Sequence, residues 1–249
     1  HSRPNYAQAY INKGVALNEL GKHEQAIEAY DNAISINPEY AEAYYNKGVT
    51  LRDLGKRQEA LGAYYKAVSL NIDYAEAYNN IGVVLKELGK PDEAIAAYNK
   101  ALSIRSEYAE AHQNLSFLLL NIGKLEQGLN EYEWRWKTLK NSTKKRTFGR
   151  PLWDGKTDLT HKTVLVWGEQ GPQDMTVWSS ALKYINDCSE HCILECPDKL
   201  VSLFRRSFPE LEVRSENETE DKEFHFHLPM GSLYDRFQSQ ISNRQITEP

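Results

Sequence analysis

The chain has 249 residues, of which 41% are hydrophobic and 26% charged, and a formal net charge of −5. That is room for one or two domains of ordinary globular composition. The acidic balance argues against nucleic acid as a main partner, because phosphate binding needs a basic face, and no apolar run of about 18 residues is present to cross a membrane as a helix.

From the first residues onward the chain repeats itself every 34 residues. Tyr6, Tyr40, Tyr74 and Tyr108 fall on that period, as do Ala9, Ala43, Ala77 and Ala111, and also Gly21, Gly55, Gly89 and Gly123. Tyr30, Tyr64, Tyr98 and Tyr132 add a fourth row. The rows define units at 5–38, 39–72, 73–106 and 107–140 within a repeat region of 5–140. Each unit predicts two helices. In the second, helix A runs over 41–54, Gly55 closes it in a left-handed conformation, and helix B runs from about Gln58 to Leu70. Pro91 suits the first turn of a helix B, and Pro38 ends the first unit. Gly14, Gly48 and Gly82 on helix A, with Ala26, Ala60 and Ala94 on helix B, mark close approach of the two helices. Tyr30, Tyr64 and Tyr98 are expected to fill the space between successive units.

Counted from Ala7, Ala41, Ala75 and Ala109, these positions resemble the tetratricopeptide repeat, and the fourth unit departs most from its pattern. The resemblance implies an α-solenoid whose concave face is lined by helix A. On that face one polar residue recurs at the sixth position: Asn12, Asn46, Asn80 and Asn114. An amide offers both donor and acceptor, so such a ladder can grip an extended peptide backbone. It resembles the asparagine ladder in the repeats of O-linked N-acetylglucosamine transferase. The alternative is that asparagine is only a tolerated polar residue here. Gln8, Glu42, Glu76 and Glu110 form an acidic row beside the ladder, which is either a solvated face or a selector of basic segments. Arg52 and Lys86 are the obvious groove cations. The expected partner is a protein or peptide, with self-association through the solenoid ends as a further possibility.

Beyond the repeats, Leu129, Tyr132, Trp136 and Leu139 predict a long last helix with one apolar stripe. A polar, basic stretch then reads as an exposed linker, 141–152. Trp153 is expected to anchor a second domain, 153–249. Thr163–Trp167 and His191–Cys196 read as buried strands, with Leu211–Val213 and Phe224–Phe226 as further candidates. Met175 to about Ile185 and Lys199 to Ser207 read as helices, the second capped by Asp198. The alternation predicts a small α/β parallel sheet of Rossmann-like type. Cys188, Cys192 and Cys196 are an odd, local set rather than a disulfide framework, which with no signal peptide at the start predicts a reducing, cytoplasmic location. They form C-x3-C-x3-C beside His191. The favoured reading makes Cys192 and Cys196 small hydrophobes of a buried strand, with no metal expected.

Glu133-Trp134-Arg135-Trp136, Pro151-Leu152-Trp153-Asp154-Gly155 and Gly168-Glu169-Gln170-Gly171 resemble bacterial tetratricopeptide proteins that carry a glycosyltransferase-like domain, similar to the family 9 heptosyltransferases of the two-Rossmann B-type fold. The resemblance implies that Glu169, Gln170 and Gly171 lie near an acceptor site and that Asp174 is a general base, with a nucleotide sugar as donor. Asp174 also precedes a helix, where aspartate is a preferred N-cap. Gln173 stands where the family has glycine. Residues 153–249 amount to 97 residues, one small domain, so the resemblance further implies a fragment of an enzyme or an incomplete one; this chain by itself is expected to be inactive and to hold no cofactor.

Overall fold

A computed structural model describes residues 4–137, 146, 148–169, 175, 176, 178–218 and 223–237. Contact density divides the chain into two compact units, His1–Arg135 and Trp136–Pro249.

The first unit is a stack of eight helices: α1 (Pro4–Glu19), α2 (His23–Ile36), α3 (Ala41–Asp53), α4 (Arg57–Leu70), α5 (Ala75–Glu87), α6 (Pro91–Ile104), α7 (Ala109–Asn121) and α8 (Leu125–Tyr132). Odd-numbered helices are the A helices and even-numbered ones the B helices. Each A–B turn is closed in the same way. Gly55 has φ +75°, its N–H donates to the Arg52 carbonyl at 2.8 Å, and the Lys56 N–H reaches back to Leu51 at 2.9 Å. Only glycine adopts this conformation without strain, and the double bond satisfies carbonyls that the helix end leaves open. Gly21, Gly89 and Gly123 repeat it.

What fixes the spacing of A and B is a ring set against a missing side chain. A Cβ on Gly48 would lie 2.7 Å from the Tyr64 ring, and Gly14 with Tyr30 and Gly82 with Tyr98 show the same contact. The tyrosines thus pack first within their own unit rather than only between units. In the fourth unit the small residue changes helix: Ser116 stands on α7, its hydroxyl donates to the Gly128 carbonyl at 2.7 Å, and a Cβ on Gly128 of α8 would strike Leu120. Successive A helices pack on one another, α1 on α3, α3 on α5 and α5 on α7, whereas the B helices show no comparable packing. The A side is therefore the inner side of the stack.

Helix α8 does not run on as the apolar stripe predicts. It stops at Tyr132, and Glu133–Lys137 forms a 3₁₀ helix. The fully buried Arg135 guanidinium donates to the Tyr132 carbonyl at 3.2 Å and stacks over the Tyr132 ring, so that carbonyl serves a side chain instead of a further helical turn. Leu139 lies outside the described residues.

The second unit holds a four-stranded parallel sheet of order β3-β2-β1-β4, with β1 at Thr163–Trp167, β2 at His191–Cys196, β3 at Glu212–Ser215 and β4 at Phe226–Pro229. Helices α9 (Leu182–Cys188), α10 (Asp198–Ser207) and α11 (Leu233–Arg236) accompany it. One face carries Val164, Val166, Cys192, Leu194, Cys196, Val213 and Leu228, which join Leu182, Ile185, Leu200, Phe204 and Leu233 in a single core. Cys192 and Cys196 are thus inward residues of a strand, and burial pushes their thiols up to about 12 and about 11. The fourth strand lies later than the alternation of His225 and His227 with Phe224 and Phe226 suggests, because the sheet selects Phe226–Pro229 for pairing with β1. Asp198 opens α10, but its side chain accepts from Ser215 and Asn217 instead of capping the helix. Part of the expected linker is packed. Leu152 bridges His227, the Trp153 backbone N–H donates to the His227 carbonyl at 3.0 Å, and the Phe148 ring lies tilted 4.6 Å from the His227 ring. Trp153 is buried in the core.

The three repeat tyrosines differ in one respect. Burial raises the Tyr30 phenol, and the Thr50 hydroxyl beside it opposes that rise. One and two repeats later the position of Thr50 holds Val84 and Leu118, and the Tyr64 and Tyr98 hydroxyls are buried without a partner among the described residues. An unsatisfied buried hydroxyl costs on the order of 1–3 kcal/mol. Tyr64→Phe and Tyr98→Phe are therefore expected to raise unfolding free energy by about 1 kcal/mol, while Tyr30→Phe lowers it; denaturant unfolding of the three variants tests this, and destabilisation by Tyr64→Phe overturns it.

Candidate functional site

The inner face of the repeats is built from the A helices, and its polar residues are joined across the units. The Asn80 amide donates to the Tyr45 hydroxyl at 3.2 Å and its carbonyl accepts from Arg52 at 3.3 Å. The Asn114 amide donates to the Asn79 carbonyl oxygen at 3.0 Å. In both cases the ladder asparagine of one unit reaches the residue that precedes the ladder position in the unit before. For Asn46 that residue is Ile11, which is fully buried and cannot accept. No hydrogen bond holds the Asn46 side chain among the described residues, although it is half-buried. Asn12, in the first repeat, is bonded by Gln8 at 3.1 Å, and Gln8 in turn accepts from the Tyr40 hydroxyl. Three of the four amides are thus engaged within the chain, and Asn46 is left with both its donor and its acceptor to offer.

Around Asn46 and Asn80 the face is aromatic and charged. The Tyr45 ring lies 4.8 Å from Tyr74 and 5.9 Å from Tyr64. Burial raises the phenols of Tyr45, Tyr74 and Tyr108, the last to about 12, with Tyr45 and Glu76 adding to the effect at Tyr108. Glu76 forms an ion pair with Arg105, whose guanidinium lies 4.2 Å over the Tyr108 ring. Arg52 also pairs with Asp53 at 3.6 Å. Glu42 is half-buried on the same row, Glu110 is exposed, and Lys86 forms no ion pair among the described residues. A row of Val15, Val49, Val83 and Phe117 runs three residues beyond the ladder, with Phe117 44% exposed. The repeat period made the ladder visible; Tyr45 and the apolar row escaped attention because their position reads Ile11, Tyr45, Asn79, Gln113 in one case and looks like core in the other.

The second unit offers a separate feature. Strand order reverses between β1 and β4, and ligands of parallel sheets bind outside the carboxyl ends of the strands at such a point. Glu169 sits there, after β1, and accepts from the Gly231 N–H at 2.9 Å, which ties the loop after β1 to the turn after β4. Gln170, Gly171 and Asp174 lie outside the described residues. On the sheet face opposite the helices, Glu195 is buried between Arg214, at 3.0 Å, and Arg146, which lies over the Phe148 ring. Sequence reasoning missed this cluster, since its members are remote in the chain. Cys188 is exposed on α9, apart from the two buried thiols.

A phenol held protonated in the fold stabilises the fold below its ordinary pKa and ceases to do so as pH rises through the folded value. For Tyr108 the contribution is present below pH 10 and is lost towards about 12. A spectrophotometric titration of the native protein is expected to show a class of phenols ionising late, together with loss of helical circular dichroism; coincidence with the titration of the denatured chain contradicts it.

Family models meet the chain in the repeat region. A TPR repeat model matches residues 14–55 and 50–89, and a tetratricopeptide repeat model matches 75–108. A search of curated proteins found no match. Among solved structures, a crystal structure of MamA is similar at 26% identity and a TM-score of 0.51, covering 57% of this chain and 84% of that one. A structure of pilF from Pseudomonas aeruginosa is similar at 25% identity and a TM-score of 0.52, covering 57% of this chain and 64% of that one. With the glycine-closed turns and the stacked A helices, these matches establish that the helical part of this chain is a solenoid of tetratricopeptide repeats.

Proposed function

We propose that the repeats are a protein-interaction scaffold whose inner face takes an extended polypeptide segment, with Asn46 as the first point of grip. The observation that carries this is the uncommitted Asn46 amide, held half-buried in a row whose other members are bonded within the chain. A peptide N–H and C=O are the groups that fit a side-chain amide presented in this way. The flanking valines and Phe117 supply apolar contact, and Glu42 and Glu110 favour a basic segment over an acidic one.

Peptides selected on the chain from a random display library are expected to carry net positive charge. Asn46→Ala is expected to weaken the best of them about tenfold, the effect of leaving a peptide group without its partner, and to leave thermal stability unchanged. Asn80→Ala is expected to behave differently and to lower stability by roughly 1 kcal/mol, since it removes the bonds to Tyr45 and Arg52. Equal peptide affinities for wild type and Asn46→Ala sink the proposal.

A second reading rests on the reversal of strand order beside Glu169. We infer that this sheet contributes the acceptor side of a glycosyltransferase using a nucleotide-sugar donor, with Asp174 accepting the proton of the attacking hydroxyl. A carboxylate that follows β1 closely in sequence is chemically suited to accepting that proton. Glu169, anchored on the Gly231 N–H, puts a carboxylate after β1, a group that accepts from hydroxyls and repels phosphates. In the full protein, Asp174→Asn is expected to lower sugar transfer by at least a hundredfold with the thermal transition unmoved; retained transfer excludes the role.

A further inference from the structure

Two rows of side chains flank the ladder asparagines on the inner face. Glu42, Glu76 and Glu110 stand four residues before them, about 6 Å towards the start of each A helix; Val49, Val83 and Phe117 stand three residues after them, about 4.5 Å towards its end. The ladder therefore runs between an acidic row and an apolar one. On the acidic side Glu76 is paired with Arg105, whereas Glu42 and Glu110 form no ion pair among the described residues. Burial is the main cause of the raised Tyr74 and Tyr108 phenols, and the row adds to it: Glu42 and Glu76 at Tyr74, Glu76 and Glu110 at Tyr108. The negative field is thus continuous from the second repeat to the fourth. On the other side Val49 and Val83 are half-buried, and Phe117 meets the edge of the Tyr132 ring and stays 44% exposed. Beyond them the acids are answered, Asp53 by Arg52 at 3.6 Å and Glu87 by Arg57 at 2.7 Å, while Lys86 forms no ion pair among the described residues.

A backbone gripped by an amide turns its N–H and C=O edge to the protein, and those groups lie in the plane of the pleat. The side chains of an extended segment stand out of that plane, on alternate sides. Here the two sides are the acidic row and the apolar row. Every second side chain meets open carboxylates, and the others meet valine and phenylalanine near Lys86, which repels a cation. We propose that the occupant of this face is an extended segment in which basic and apolar residues alternate, with its cations beside Glu42 and Glu110 and its apolar side chains over Val49, Val83 and Phe117. This rests on the inner face being the groove proposed above and adds the order of residues to it. Composition alone does not satisfy the face, because a block of cations puts half of them over the apolar row. Glu42 and Glu110 also stand in the first turns of α3 and α7, where the helix dipole favours a carboxylate. That role asks nothing of a partner, so peptide affinity separates the two.

The test uses the whole chain and two amidated octapeptides of one composition: lysine and valine in alternation, and four lysines followed by four valines. Titration calorimetry is expected to show the alternating peptide binding about tenfold tighter, and an alternating glutamate–valine peptide not binding. Glu42→Gln combined with Glu110→Gln is expected to weaken the alternating lysine peptide about tenfold and to flatten the fall of its affinity with added salt. Phe117→Ala is expected to weaken it severalfold with the salt dependence unchanged. Equal affinities of the two lysine peptides, no binding of the alternating one, or an unchanged salt dependence in the double variant overturns the proposal. A double variant that loses thermal stability and keeps its affinity assigns the two carboxylates to the helix ends and overturns it as well. Peptides from the display library that depend on Asn46 but bind regardless of residue order leave the groove standing while this proposal fails.

Discussion

The repeats depend on a contact between a tyrosine ring and a helix that lacks a Cβ. Gly14, Gly48 and Gly82 let the rings of Tyr30, Tyr64 and Tyr98 come against the backbone of helix A through their Cδ1, Cε1 and Cζ atoms, closer than any other residue type allows. That contact sets the A–B distance in three successive units, and a constant distance gives each unit the same shape. Identical shapes stack, and stacking buries what no single helix pair could bury. The inner face then follows without further instruction, since residues at one position of the unit must line up. The fourth unit keeps the A–B approach by another route, with a serine hydroxyl on one helix and a glycine on the other.

Alignment has a chemical result that is uneven along the stack. The asparagines form a row, but whether each is available is decided by the residue next to the row in the preceding unit. Tyr45 and Asn79 accept, so Asn80 and Asn114 are occupied; Ile11 cannot, so Asn46 is open. A repeat protein can thus be regular in structure and singular in function, with the singularity carried by one apolar residue in the unit before.

Much of this was legible in the sequence and some was not, for physical reasons. Helix pairs, their glycine turns and the ladder row show themselves through the 34-residue period. Two strands, at Thr163–Trp167 and His191–Cys196, are apolar enough to be read directly. Phe226–Pro229 was displaced because alternation of phenylalanine and histidine marks two faces but not the register, which pairing with β1 decides. The end of α8 at Tyr132 depends on a buried arginine, a residue type that sequence reasoning places at the surface. The Glu195–Arg214 pair joins neighbouring strands that are separate in sequence, and no local pattern announces it.

The core of the repeats is also divided. Ile11, Ala26, Tyr30, Ala33 and Ala43 form one apolar cluster, while residues from Leu51 to Leu119 form another. The first repeat meets the second partly through polar groups, Asp31 with Lys47 and Tyr40 with Gln8. In a linear array, cooperativity is only as strong as the interface between neighbours. Polar links of the same kind join the later neighbours, Arg57 with Glu87 and Asn114 with Asn79, so each repeat is held to the next by apolar and polar contacts together. Asn46 lies on the second repeat, next to that boundary. Ile11 belongs to the first repeat and Asn46 to the second, so the packing of one repeat on the next decides how the groove presents its one open amide.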